Sequence, residues 1–489
     1  MKKNIKWLFL VSLTFMAACN SDDNNDTPEE VPVTPGSAVF TKYIALGDSF
    51  AAGYSDNALF KKGQENAYPN ILAQQFAAAG GGSFATPFMN DNVGGLLLGG
   101  NVIFGGRLYF NGKAPVSITG KPTTEVTSHL NGSFNNLGIP GAKSYHLAAP
   151  GYGNVAGVAT GQANPYFARF ASSPSTSVIA DAVGQAPTFF SLFIGGNDVL
   201  GYAISGGVGK DQTGNMNPAT YGSSDITDPT VFKTVYSSLI TALTANGAKG
   251  VVANLPFITT LPYFTTVPYN PVALTKEAAD QLNAGYAVYN GGLKKLVEAQ
   301  MLTQAEADKR KIEFKAGNNA VVIVDSYLTN LSAAGLPSYR HATKDDLIVL
   351  TASSFIGTKI GDDPTKVNGV SVPLADNWVL SKDEVDEVKK ATVAYNAVIS
   401  AIAEEKGLAF VDTGAIMTQL SSGGVRFGNY VMSSTFVTGG AFSLDGVHPS
   451  ARGYGLIANI FIDAINKKYG STLRHVDLGA YPIQYPASL

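Results

Sequence analysis

Apolar residues in this chain follow two rhythms. Short, nearly unbroken apolar runs occur at 39–46, 187–194, 251–255 and 408–411, the first two closing at Gly47 and Gly195. Runs this short, without strict alternation, predict strands buried on both faces of a parallel sheet. Between them apolar positions recur at helical spacing: Val231, Val235, Leu239 and Leu243; Val385, Val388, Thr392, Tyr395 and Ile399; Leu456, Ile457, Ile460, Phe461 and Ile465. Each set predicts a helix with one buried stripe. Strands alternating with helices predict an α/β layered fold with right-handed crossovers.

Two segments echo each other. Tyr289-Asn290 with Leu293 and Leu296 precedes the run 321–325, and Tyr395-Asn396 with Ile399 and Ile402 precedes 408–411. Shared helix–strand grammar accounts for the echo better than duplication, and no solenoid period appears. The stretches 80–120, 205–227, 257–275 and 328–378 are loop-like insertions, rich in Gly, Pro, Asn or Thr over much of their length. Loops this long are usually functional, so they are expected to shape a substrate cleft. Within them, Leu261 to Tyr269 carries aromatics suited to an acyl pocket or a sugar platform, with plain loop packing the favoured alternative.

The amino end breaks the pattern. Lys2, Lys3 and Lys6 precede an apolar run from Trp7 to Phe15 and then Met16-Ala17-Ala18-Cys19. A basic head, a short apolar core and small residues predict a secretory signal over 1–18, too short to span a bilayer comfortably. Cys19, the single cysteine of 489 residues, sits where a bacterial lipobox places its acylated residue. Internal disulfides are therefore excluded. Residues 19–37 are polar and acidic and read as a flexible tether. Asp22, Asp23 and Asp26 resemble signals that send lipoproteins to the outer face of the outer membrane, and a solubilising spacer is an equal reading. The expected location is the cell envelope as an outer-membrane lipoprotein, with the membrane face left open. The domain is assigned to 38–470, and 471–489 to a C-terminal tail.

A formal charge of −3 gives no basic footprint for nucleic acid. The chemistry sits in three widely spaced motifs. In Gly47-Asp48-Ser49-Phe50 a hydroxyl closes a strand and opens a helix, where its alkoxide is easier to form. No Gly-x-Ser-x-Gly elbow is present. Asp445 and His448 lie three positions apart before Pro449, so the carboxylate can orient the imidazole while its other nitrogen faces a serine. In Gly195-Gly196-Asn197-Asp198 the glycines let backbone approach a substrate, and the Asn197 amide can serve an oxyanion; Asp198 is expected to hold its turn. The block 136–142 is a glycine turn able to offer a backbone N–H. His129, His146, His341 and His475 show no metal-ligand spacing and read as surface or loop residues.

Taken together, Gly-Asp-Ser, Ile-Pro-Gly-Ala, Gly-Gly-Asn-Asp and Asp-Gly-Val-His-Pro resemble the SGNH (GDSL-type) hydrolase family. The resemblance runs from about residue 40 to 465. It implies a three-layer α/β/α flavodoxin-like sandwich on a mostly parallel five-stranded sheet. It also implies Ser49 as nucleophile, Asp445 and His448 as the rest of the triad, and Ser49, Gly141 and Asn197 as the oxyanion hole; Gly138 is the alternative to Gly141. Compact members are far shorter, so the insertions are not accounted for. The expected activity is hydrolysis of carboxylic esters, lipid or acetylated glycan, through an acyl-enzyme, with no metal or organic cofactor and a membrane anchor at Cys19. A non-catalytic glycan- or lipid-binding lipoprotein on the same fold is the alternative.

Overall fold

The computed structural model describes residues 32–489 apart from 362 and 429. The expected signal peptide, Cys19 and tether residues 20–31 lie outside the described residues. Five strands form one parallel sheet: β1 (Tyr43–Gly47), β2 (Asn136–Gly138), β3 (Phe189–Phe193), β4 (Lys249–Ala253) and β5 (Ala409–Val411). Their order across the sheet is β2-β1-β3-β4-β5, the flavodoxin-like arrangement the sequence implied. Four of these strands fall within or overlap the apolar runs. The fifth, β2, is Asn-Leu-Gly, with a single strongly apolar residue, so no apolar run marks it. It belongs to the block read above as a glycine turn.

Burial explains the unbroken runs. Every residue of β1 and β3 is buried, because helices cover both faces of the sheet. The one hydroxyl inside β3, Ser191, is bonded to Tyr43 Oη at 2.7 Å, so no polar group is orphaned there.

The helices used below are α1 (Ser49–Ala52), α2 (Tyr68–Ala78), α3 (Val178–Val183), α4 (Asn197–Ile204), α5 (Pro229–Thr244), α6 (Lys276–Glu298), α7 (Lys382–Glu405), α8 (Thr413–Ser422) and α9 (Ala451–Tyr469). α2 and α9 pack together, with α9 also against β4 and β5; α5 contacts α3 and α7, and α7 reaches β4 and β5. The three predicted stripes are the buried faces of α5, α7 and α9. Local chemistry sets their starts. Asp228 accepts from the N–H groups of Thr230 and Val231 ahead of Pro229 at the first helical position. Ser450 accepts from Gly453 N–H at the start of α9.

The largest insertion lies between β4 and α7 and carries α6. Its run at 322–324 pairs antiparallel with 339–341, outside the main sheet, which separates the two echoing segments structurally. A buried Arg340 clamps this region, donating from Nε to Asp325 at 2.6 Å and bidentately to Asp346 at 2.7 Å. The insertion at 80–120 forms two antiparallel hairpins.

Both ends of the described chain are docked. Ser37 N–H donates to the Tyr469 carbonyl at 2.8 Å, so the chain enters the domain at the carboxyl end of α9. Residues 471–489 pack along the domain. Tyr485 is buried edge-on to Phe60, and the buried Arg107 donates to the Pro486 carbonyl at 2.5 Å.

Candidate active site

The parallel register brings three loops to one edge. Gly47 of β1 is aligned with Gly138 of β2 and with Phe193 of β3. Ser49, Gly141 and Asn197 therefore emerge just past the carboxyl ends of three adjacent strands. This is the switch point of a doubly wound sheet, where ligands of such folds bind.

Ser49 is the first residue of α1. Asp48 caps that helix, accepting Phe50 N–H at 3.0 Å, and Gly53 ends it with φ of +84°. The helix has one turn, so Ser49 is held by its caps and by the strand before it. Ser49 Oγ lies 2.8 Å from His448 Nε2, across 399 residues of sequence.

His448 Nδ1 lies 2.9 Å from Asp445 Oδ2. The other oxygen, Oδ1, accepts the N–H groups of Val447 at 2.9 Å and His448 at 2.8 Å. The turn thus folds onto the carboxylate, which is why a three-residue spacing puts both side chains on one side. Burial alone would raise the Asp445 carboxyl; the neighbouring His448 and these donors instead hold it down at about 2. A carboxylate kept ionised beside an imidazole fixes one tautomer, with the proton on Nδ1 and the Nε2 lone pair toward Ser49.

A segment that sequence reasoning missed holds this turn. Asn57 N–H donates to Asp445 Oδ2 at 2.9 Å. Asp56 N–H donates to Ser443 Oγ at 3.0 Å, and its Oδ1 accepts Leu444 N–H at 2.9 Å. Asp56 and Asn57 have φ of +51° and +63°. Asp and Asn are among the few residues that tolerate this region, so the Asp-Asn dipeptide was the available signal. Nothing in the sequence tied it to residues near 445. Tyr263 N–H, from the aromatic insertion, donates to the Gly446 carbonyl at 2.9 Å. Phe264 is buried within a one-turn helix over Pro262–Thr265, and Leu261 just before it lines an apolar cavity.

On the opposite side, Asn197 opens α4 and donates from Nδ2 to the Ala142 carbonyl at 3.0 Å. That bond orients the amide and joins its loop to the Gly141 loop. Gly141 is exposed with φ of +80°, and among the described residues its N–H has no hydrogen-bond partner. Gly138 differs. Its N–H is already bonded to Asn136 Oδ1 at 2.9 Å, and a Cβ there would lie 2.2 Å from Ala52 N. Asp198 reaches beyond its own turn: it is fully buried and accepts Ser144 N–H at 2.8 Å and Ser144 Oγ–H at 2.7 Å, pinning the Gly141 loop.

Three buried carboxyls surround the site. Burial raises Asp48 and Asp56 to about 7 and also raises Asp198. The remaining histidines stand apart, but two of them are not surface loop residues. His146 is half-buried, its Nδ1 accepting Lys143 N–H, and burial lowers it to about 4. His341 lies in a strand, half-buried, and burial lowers it too.

The arrangement offers an oxygen nucleophile within hydrogen-bond reach of a base, a carboxylate that orients the base, and amide donors on the far side. The chain matches the family described as GDSL-like Lipase/Acylhydrolase over residues 43–461. No curated protein matches it. Among solved structures it is similar to Axe2, an acetylxylan esterase from Geobacillus stearothermophilus, at 12% identity and a TM-score of 0.32, over 90% of this chain and 100% of that one. It is also similar to an extracellular lipase from Streptomyces rimosus, at 12% identity and a TM-score of 0.30, over 88% and 99% of the two chains.

Proposed function

Since this chain belongs to the GDSL-like lipase/acylhydrolase family and is an ester-hydrolysing enzyme, we propose that it works through a Ser49–His448–Asp445 triad and an acyl-enzyme. One observation carries the reading: the 2.8 Å and 2.9 Å contacts that link Ser49 Oγ, His448 and Asp445 in a single relay. Ser49 Oγ attacks the ester carbonyl carbon while His448 Nε2 takes its proton. The oxyanion accepts from Ser49 N–H, Gly141 N–H and the Asn197 amide, all fixed before substrate arrives. Collapse breaks the bond to the alcohol oxygen, which leaves with the proton from His448. Water then attacks the acyl-serine, gives its proton to His448, and releases the acid as Ser49 Oγ recovers that proton.

The protein is also proposed to be exported and lipid-anchored at Cys19 on the outer membrane. The basic head, apolar run and lone cysteine support this. The chain enters the domain at Tyr469, the far end of α9 from His448, roughly 28 Å away along 19 helical residues.

A fluorophosphonate labels only an activated serine. Stoichiometric labelling at Ser49, absent in Ser49→Ala, is expected; an unlabelled wild-type protein that cleaves no ester would refute the triad.

A further inference from the structure

Beside the triad lies a slot whose occupant the catalytic groups do not specify. Phe50 follows the serine and Pro449 follows the histidine, and both line the slot's inner end; the Phe50 ring is 5.6 Å from that of His448. From there the slot runs between α8 and α9 over Ile416, Leu420, Leu456 and Ile457, with a cavity volume of about 60 Å³. Ile416, Leu456 and Ile460 also line a wider groove floored by Phe427 and Tyr430 of the 425–432 hairpin. The slot and the groove therefore share a wall.

The lining decides the chemistry. Its one polar side chain, Thr413, already donates from Oγ1 to the Asn254 carbonyl at 2.7 Å. A wall without a free donor or acceptor cannot recognise sugar hydroxyls, whose desolvation would go uncompensated. It suits an aliphatic chain. Gly453 and Ile460 bracket it along α9, seven residues or roughly 10 Å apart, the reach of about eight extended carbons.

We propose that this slot binds the acyl chain of the substrate, making the enzyme selective for esters of medium-chain fatty acids. The inference rests on the triad reading, which fixes Ser49 as the atom the acyl group joins. The acyl part is chosen over the alcohol because it stays on Ser49 through both half-reactions. The alcohol must accept a proton from His448 and leave to water. Each methylene buried there adds about fourfold to kcat/KM, the factor equivalent to about 0.8 kcal/mol.

The test is kcat/KM of the full mature chain on p-nitrophenyl acetate, butyrate, octanoate and palmitate, with Ile457→Trp and Ile416→Trp to fill the slot. Octanoate is expected to exceed acetate at least tenfold in the wild type. The octanoate-to-acetate ratio is expected to fall at least tenfold in either variant, with unchanged far-UV circular dichroism. A folded variant that keeps the wild-type ratio overturns the slot and leaves the triad standing. A ratio that changes instead along acetate esters of lengthening alcohols overturns the acyl assignment. Loss of every activity together with Ser49 labelling in the wild type overturns the triad.

Discussion

Asn57 N–H donates to Asp445 Oδ2, the same oxygen that faces His448 Nδ1, at 2.9 Å. With Val447 and His448 N–H on the other oxygen, the carboxylate is held by three backbone amides as well as the imidazole. Its orientation is therefore a property of the backbone, set from two distant segments.

The first consequence concerns Asn57 itself, whose φ of +63° lets its amide point at Asp445. Asn57→Gly should keep kcat within about twofold, because glycine adopts this conformation freely. Asn57→Val should cost about 1–2 kcal/mol of stability and lower kcat roughly tenfold. Equal kcat in the two variants would show that the amide does not position the triad.

Removing the proposed nucleophile should abolish turnover without unfolding the protein. Ser49→Ala is expected to lower kcat on p-nitrophenyl acetate by several powers of ten, and Asn197→Ala by roughly 10²–10³. Full turnover by either variant contradicts its assigned role.

Asp48 and Asp56 give a pH signature. Burial holds both near 7 rather than 3.8, so between those values the folded protein binds more protons than the unfolded chain. Their contribution is complete below about 3.8 and is lost as pH rises through about 7. The double variant Asp48→Asn, Asp56→Asn should flatten the decline of the urea midpoint from pH 4.5 to 7. A slope identical to wild type would mean that neither carboxyl is neutral in the fold.

Asp445 works in the opposite sense. Its depressed value of about 2 means that its contribution is present above the unfolded value near 3.8 and is lost as pH falls toward 2. Asp445→Asn should abolish that acid-side loss and lower kcat by roughly 10⁴. An acid-side urea titration of both proteins checks the first part and p-nitrophenyl acetate turnover the second.

The carboxyl end should matter for stability. Deleting 485–489 uncovers Phe60 and removes the Pro486 carbonyl from the buried Arg107 guanidinium. A loss of about 3 kcal/mol or more is expected by chemical denaturation, from lost burial and from a buried guanidinium whose Nη2 group loses its carbonyl acceptors. A midpoint within error of the full chain would show that the segment is dispensable.

Four of the five strands and the helices α5, α7 and α9 were legible because burial writes itself into local sequence as unbroken apolar runs or helically spaced stripes. The β2 strand was not, since Asn-Leu-Gly holds a single strongly apolar residue and so makes no apolar run, whereas the equally short β5 is Ala-Phe-Val. The sequence by itself determined which residue types can cleave an ester: a serine at a strand–helix junction, an aspartate and histidine in one turn, and an asparagine after two glycines. It also named Asp198 as structural while missing its partner, Ser144, because that bond spans 54 residues.

Only the tertiary structure decided how those groups meet. Strand order placed the Ser49, Gly141 and Asn197 loops side by side, and α9 delivered His448 across 399 residues to within 2.8 Å of Ser49. The choice of Asp56 and Asn57 as supports, and the apolar slot between α8 and α9, belong to the same level. The physical reason is range: propensity and patterning act within a few turns of backbone, whereas these contacts exist only after distant segments share one buried surface.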